Sequence, residues 1–340
     1  MQTVKGCFDV TPAGRLISYR GYESDVTVPP GVTEIGERAF WGARLMTRLT
    51  LPASLRVIGA WGFAGCTSLR EVVSFGGATE IGAHAFFSCT SLAEVRLPPT
   101  VLRIGAAAFD GCVTLGVILL PAALTEIGDM AFRGCRRLRR MSVSPKNRVF
   151  YEREGVLFDR RGQLVRYPPG RDAFAYTVPP GVVSLTGGSF SEATMLREVG
   201  LPGSLSRIGQ GAFYRAKHLR SLDLPPGVTD IGAEAFGACE ALLHADLPRG
   251  LTTVPPLAFY GCTGLADVAL PSGVTDIGEG AFLGCRALRS VAAGFLRTVG
   301  ENAFSDCGSL CSVTAEALPR IRARGNEAFF EAARGHSGPA

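Results

Sequence analysis

The sequence predicts a solenoid of thin stacked units, and three observations predict it. Phenylalanine recurs every 23 residues at Phe40, Phe63, Phe86, Phe109 and Phe132, then again at Phe190, Phe213, Phe236, Phe259 and Phe282, with Phe304 after 22. Isoleucine recurs five residues before that Phe (Ile35, Ile58, Ile81, Ile104, Ile127, Ile208, Ile231, Ile277), and leucine six after it (Leu69, Leu92, Leu115 and their equivalents). Beyond the leucine, apolar residues alternate with others, as Val95 and Leu97 do, which is the period of a short strand with one buried face. Eleven such units result, each too thin to bury its own apolar face, so neighbours must stack around a shared core. Composition agrees: 46% apolar and 19% charged residues in a 340-residue chain exclude a disordered tail or a charged coiled coil. No apolar run approaches the ~18 residues of a membrane-spanning helix.

In chain order, residues 1–27 read as a capping hairpin, with Gly6–Val10 and Arg15–Tyr19 joined around Thr11-Pro12-Ala13-Gly14. Residues 28–143 hold five repeats. A recurrent Leu-Pro ends the strand, since proline cannot donate to a ladder, and Gly follows the Ile position in nine of eleven copies, marking a sharp turn that a Cβ would obstruct. Residues 144–177 repeat the opening at an offset of about 150: Gly155–Asp159 and Gln163–Tyr167 flank Arg160-Arg161-Gly162 as a second hairpin. It reads as a side insertion with repeats stacking across it, the alternative being two solenoids hinged near Pro145–Pro169. Residues 178–315 hold six repeats. In the closing segment, 316–340, Arg324–Arg334 is expected to be a short helix with Asn326 as N-cap. Phe329 and Phe330 would cover the last repeat, and His336–Ala340 would fray.

The columns I-G-x-x-A-F-x-G-C-x-x-L closely resemble the bacterial BspA-like, or treponemal-type, leucine-rich repeats from about Val28 to Val313. Departures are few: Leu185-Thr186 and Val254-Pro255 replace Ile-Gly, and Phe75-Gly76 replaces Leu-Pro. The resemblance implies a leucine-rich-repeat solenoid. Short parallel strands would line its concave face, with turns, 3-10 or helical segments on the convex side. It also implies a non-enzymatic scaffold that binds proteins or peptides, exported or at the cell surface, in an adhesin-like interaction with host or cell-surface proteins. Met1–Cys7 has no apolar stretch, so a signal peptide is expected to be absent or removed.

Chemistry has few candidates. Eight of ten cysteines (Cys66, Cys89, Cys112, Cys135, Cys239, Cys262, Cys285, Cys307) share the column three after the Phe, where Ala43, Ala193 and Ala216 also stand. The column therefore demands small volume, and free core thiols are expected rather than a metal ladder or disulfides. Four histidines sit in no metalloprotease or nucleophile-elbow setting, and there is no Walker loop. No catalytic residue, metal or cofactor is expected.

Recognition is better supported. In a leucine-rich repeat the residues eight and ten after each Phe would line the concave face. Most pairs there are polar, as Arg48/Thr50 and Glu94/Arg96 are, but Val117/Leu119 are both apolar, with Val73 two repeats away. Val73, Val117 and Leu119 are thus the candidate ligand-binding patch for a protein, peptide or small apolar ligand, unless the internal hairpin covers them. Asp223, Asp246 and Asp267 beside His244 form an acidic ladder, read as a solvated face or a seat for a cation or basic partner. From Arg133 to Arg171 twelve Lys/Arg face three carboxylates, a surplus of nine within a net charge of +5, so the rest of the chain is net −4. Arg136, Arg137, Arg139 and Arg140 are the candidate patch for an anionic partner such as a polysaccharide, or else a solvated basic face. Nucleic acid is not expected, for want of any recognised motif. A self-assembling module using the solenoid ends, or Trp41 and Trp61, is the remaining alternative.

Overall fold

Every recurring column has a structural post in the computed structural model, which describes residues 7–317 and 324–334. The chain divides into two compact units, Met1–Arg161 with Arg166–Arg171, and Gly162–Val165 with Asp172–Ala340. Both are parallel-strand solenoids with a spacing of about 23 residues.

In the first unit the isoleucine column forms one parallel ladder of two-residue strands, Glu34–Ile35, Val57–Ile58, Glu80–Ile81, Arg103–Ile104 and Glu126–Ile127. Each residue is registered on its equivalent one turn away. The ladder starts in the hairpin. Arg15–Tyr19 pairs antiparallel with Phe8–Val10 and parallel with Glu34–Ile35, which places Leu16 in the isoleucine column. Tyr19 stacks on Phe40 at 4.9 Å, standing where a phenylalanine would. In the second unit Leu164 does the same, registered on Leu185. Strands from the hairpins therefore act as turns of the stack, which raises the count to about thirteen turns from the eleven marked by phenylalanine.

The Gly after Ile is required for a reason other than a sharp turn. A Cβ on Gly105 would lie 2.5 Å from the Ala83 nitrogen and 2.7 Å from the Gly82 carbonyl carbon, both on the preceding turn. The glycine N–H also donates to that turn, as Gly105 does to Ile81 at 2.7 Å. Pro255 stands in this column without an N–H, and there the second unit's ladder breaks into Ser184–Leu185, Arg207–Ile208, Asp230–Ile231 and Thr253–Val254, Asp276–Ile277, Thr298–Val299.

The longer strands follow the Leu column and form a second set of short parallel sheets. The A-F-x-G stretch between them holds a third line of hydrogen bonds made by consecutive turns rather than by 3-10 or α-helix. Its geometry depends on left-handed backbone two residues before and two after each Phe. Arg38, Trp61, His84, Ala107 and Met130 occupy the first place with φ of 51 to 58°. This orientation sends alternate N–H groups to the next turn: Trp61 to Ala83, Phe63 to Ala85 and Gly65 to Phe87, all at 2.7 to 2.9 Å. Inter-turn bonds offset the cost of αL at non-glycine residues.

Inside, the rings of Phe40, Phe63, Phe86, Phe109 and Phe132 stack at 4.8 to 5.6 Å. The second unit's rings continue from Phe190 to Phe304 at 5.0 to 5.7 Å. The eight column cysteines are buried free thiols. Each donates its S–H to the carbonyl of the Phe one turn back, Cys112 to Phe86 at 3.2 Å for example. The column thus accepts a small side chain and also gives a thiol a hydrogen-bond partner. Burial, helped by the neighbouring Cys135, pushes Cys112 well above the ordinary thiol range, and burial, helped by the Asp306 carboxylate, pushes Cys307 up to about 12.

In the internal segment, Val156–Asp159 pairs antiparallel with Phe150–Arg153, a strand the sequence reading did not include. Glu154 and Gly155 turn between them at positive φ. Asn147 ties this hairpin to the last repeat of its unit. Its amide donates to Pro121 and Leu124 carbonyls, and its oxygen accepts from the N–H groups of Val149 and Phe150. At the C-terminus, Glu327–Arg334 is helical and Phe329 stacks on Phe304 at 4.4 Å. Asn326, expected as an N-cap, reaches to the last repeat, accepting from Phe304 N–H and donating to the Gly300 carbonyl. The His336–Ala340 tail lies outside the described residues.

Candidate protein-recognition surface

The long strands show why their odd positions face water. In Val117–Leu120 the burial alternates exposed, buried, exposed, buried, with Ile118 and Leu120 in the core. Glu94–Arg96, Glu198–Gly200, His244–Asp246 and Asp267–Ala269 alternate in the same way. Within each unit most residues eight and ten after a Phe are therefore exposed, and the chemistry of this strip can change without disturbing the core.

On that strip Val117 and Leu119 are 52% and 57% exposed, uncovered by the internal hairpin. In register, Val117 faces Glu94 on one side and Arg140 on the other, and Leu119 faces Arg96 and Ser142. Arg96 and Glu94 pair at 2.6 Å on the solvent side. Val73, though 43% exposed, is placed differently. It is the extra residue of a bulge in Glu71–Phe75, where Leu49 pairs with Val72 and Thr50 with Ser74. That strand belongs to a sheet with Asp25–Thr27 and Arg48–Leu51, whereas Glu94–Arg96, Val117–Leu120 and Arg140–Val143 form another. The structure brings Val117 and Leu119 together and leaves Val73 on the far side of Glu94–Arg96.

Arg136, Arg137, Arg139 and Arg140 are all exposed. Arg137 and Arg139 donate backbone N–H groups to Val113 and Gly116, one turn earlier. The arginine run therefore abuts the turn that leads into Val117. The internal hairpin packs against the other side, with Met141 N–H donating to Gly155 and Arg140 pairing with Glu152 at 3.1 Å. Two sites read separately in the sequence are thus neighbours.

The acidic ladder is less regular than its spacing suggested. Asp267 sits opposite His244 and accepts from Ser290, while Asp246 faces Ala269. Among the described residues no group of three or more His, Cys, Asp or Glu is placed to hold a metal ion, and no helix is long and apolar enough to cross a membrane. Trp41 is exposed with Arg38 over its ring, but Trp61 is half-buried, its ring parallel to His84 at 4.0 Å. Trp61 is therefore engaged within the repeat surface instead of standing free for self-assembly.

The family model for the BspA type leucine-rich repeat region matches residues 21–139, 183–311 and 252–333. Among solved structures, a leucine-rich repeat protein from Eubacterium ventriosum is similar in fold, with 24% identity and a TM-score of 0.79 over 94% of this chain and 93% of that one. A leucine-rich cell surface protein from Faecalibacterium prausnitzii is 26% identical, with a TM-score of 0.61 over 93% and 94%. The pneumococcal vaccine antigen PcpA shares the fold at 21% identity and a TM-score of 0.58, over 92% of this chain and 86% of that one. A search of curated proteins found no match.

Proposed function

The chain belongs to the BspA-type leucine-rich-repeat family, and we propose that it is a recognition scaffold that holds a protein or peptide partner on the exposed strip of its longer strands. The repeats of this family are scaffolds rather than enzymes as a rule. The observation that carries the reading is the pair Val117 and Leu119, bulky apolar side chains more than half exposed in a column where other strands put charge, hydroxyls or small residues. About half of each is still in water, so their burial in a complex supplies about 1 kcal/mol each. The remaining charged positions of the strip give orientation and selectivity. The likeness to a relative described as a cell surface protein supports exposure at the cell surface, where such a strip would meet other cells' or host proteins.

Replacing Val117 and Leu119 together by serine tests the reading. Partner capture should be lost while the thermal midpoint stays within a few degrees, because exposed substitutions rarely cost more than ~0.5 kcal/mol. A large stability loss would show that the pair belongs to the core. Unchanged capture would remove it from the interface.

A further inference from the structure

Both units carry ion pairs between neighbouring turns. A cation on one turn is answered by an acid one turn away: Arg15 by Glu34, Arg48 by Asp25 and Glu71, Arg103 by Glu80, and Arg133 by Asp110 in the first unit. Arg207 with Asp230, Lys217 with Glu240 and Arg297 with Asp276 repeat it in the second. Within the run from Arg136 to Arg140, Arg137 and Arg139 stand outside this pattern. The turn before it is Val113-Thr114-Leu115-Gly116-Val117, which has no carboxylate. On its other side Gly170 donates to the Leu138 carbonyl at 2.8 Å, within Pro168-Pro169-Gly170-Arg171. Arg140 is answered by Glu152, but among the described residues Arg137 and Arg139 have no acidic partner.

The charge on Arg137 and Arg139 lies beside the exposed apolar pair: the Arg139 N–H is bonded to the Gly116 carbonyl, and the Glu152-paired Arg140 that follows it is registered on Val117. We propose that the two form one composite site for an acidic protein segment with bulky apolar side chains. The apolar side chains would seat on Val117 and Leu119, and the carboxylates on Arg137, Arg139 and their neighbours. This inference rests on the recognition reading above and names the chemistry of its partner. Eleven of the twelve cations between Arg133 and Arg171 are arginine, whose planar guanidinium matches a carboxylate with two hydrogen bonds. An apolar centre beside a charged rim is the anatomy of a protein interface. A polysaccharide would leave Val117 and Leu119 unused. Nucleic acid would want stacking aromatics among the arginines, and the residue between Arg137 and Arg139 is the buried Leu138.

The test is selection from a random peptide display library on the full chain. Peptides of about twelve residues span ~40 Å when extended at ~3.3 Å per residue. The enriched peptides should combine net negative charge with Leu, Ile, Val or Phe. The best one, synthesised, should lose at least about tenfold in affinity to V117S with L119S, and the same to R137S with R139S. Binding should also weaken as salt is raised above ~0.15 M. Both double variants should keep the parent unfolding midpoint. Apolar peptides without acidic bias, sensitive only to V117S with L119S, would overturn the composite site and leave the recognition reading standing. Peptides indifferent to both variants, or no enrichment at all, would overturn both. Heparin retention at ~0.15 M salt that depends on Arg137 and Arg139 and is not displaced by an acidic peptide would assign the arginines to a polysaccharide, also overturning the proposal.

Discussion

Phe109→Ala removes an interior ring of the first unit's stack. Phe109 is fully buried, with Phe86 at 5.3 Å and 1° on one side and Phe132 at 5.6 Å and 2° on the other. Burial of this kind makes a Phe-to-Ala change cost about 3 to 5 kcal/mol. Loss of two stacked pairs, each worth about 0.5 to 1.5 kcal/mol and included in that range, puts this site towards its upper end. Phe109→Leu keeps much of the volume and should cost clearly less. In a solenoid the damage is felt by nearest neighbours. Native-state hydrogen exchange should therefore show amides of the Phe86 and Phe132 turns losing protection before those of the Phe40 turn. Chemical denaturation of the wild type and both variants supplies the stability scale. A cost below about 1 kcal/mol for Phe109→Ala, or equal costs for Ala and Leu, would refute the claim that the ring stack holds the turns together. Equal loss of protection at Phe40 and Phe132 would refute the nearest-neighbour argument.

Three further outcomes are expected. Gly105→Ala should lower the unfolding midpoint strongly, because its Cβ meets backbone of the preceding turn, whereas Gly116→Ala, with open space around it, should be nearly neutral; thermal melts of the pair decide it. Native maleimide labelling should modify exposed Cys311 and spare Cys112, whose thiol is buried and held protonated, as mass spectrometry of peptides can show. Asp276 is desolvated, which alone would raise its pKa, yet hydrogen bonds from Thr298, Thr275 and Arg297 hold it at about 2, below its ordinary 3.8. A depressed folded-state value contributes stability above 3.8 that is lost as pH falls through about 2. The midpoint gap between wild type and Asp276→Asn should accordingly be steady above pH 4 and shrink towards pH 2 in acid melts.

The core was legible because it is written in columns: the Phe, Ile, Leu and Cys positions recur at fixed spacing, and each turned out to face its own equivalent one turn away. The need for Gly beside Ile was legible too, but not its cause, since a close approach between turns looks in sequence like any glycine turn. The left-handed position two before each Phe is marked by glycine only at Gly188, Gly211 and Gly280, all in the second unit. Arg38, Trp61, His84, Ala107 and Met130 share no chemistry, and only their inter-turn hydrogen bonds define the site. Leu16 and Leu164 were hidden as turns of the stack because neither precedes a Phe at the usual distance. For the candidate surface, spacing alone placed Val117 and Leu119 outward. Separating Val73 required the bulge, and joining Val117 to the arginine run required the strand register.

Site-specific photo-crosslinking in the native cell tests the central claim most directly. A benzophenone side chain at Leu119, on the exposed strip, is compared with one at Leu102, which is also exposed but precedes the isoleucine-column strand Arg103–Ile104. The account predicts a discrete protein adduct from position 119 and none from 102. An adduct from 102 with nothing at 119 would contradict it.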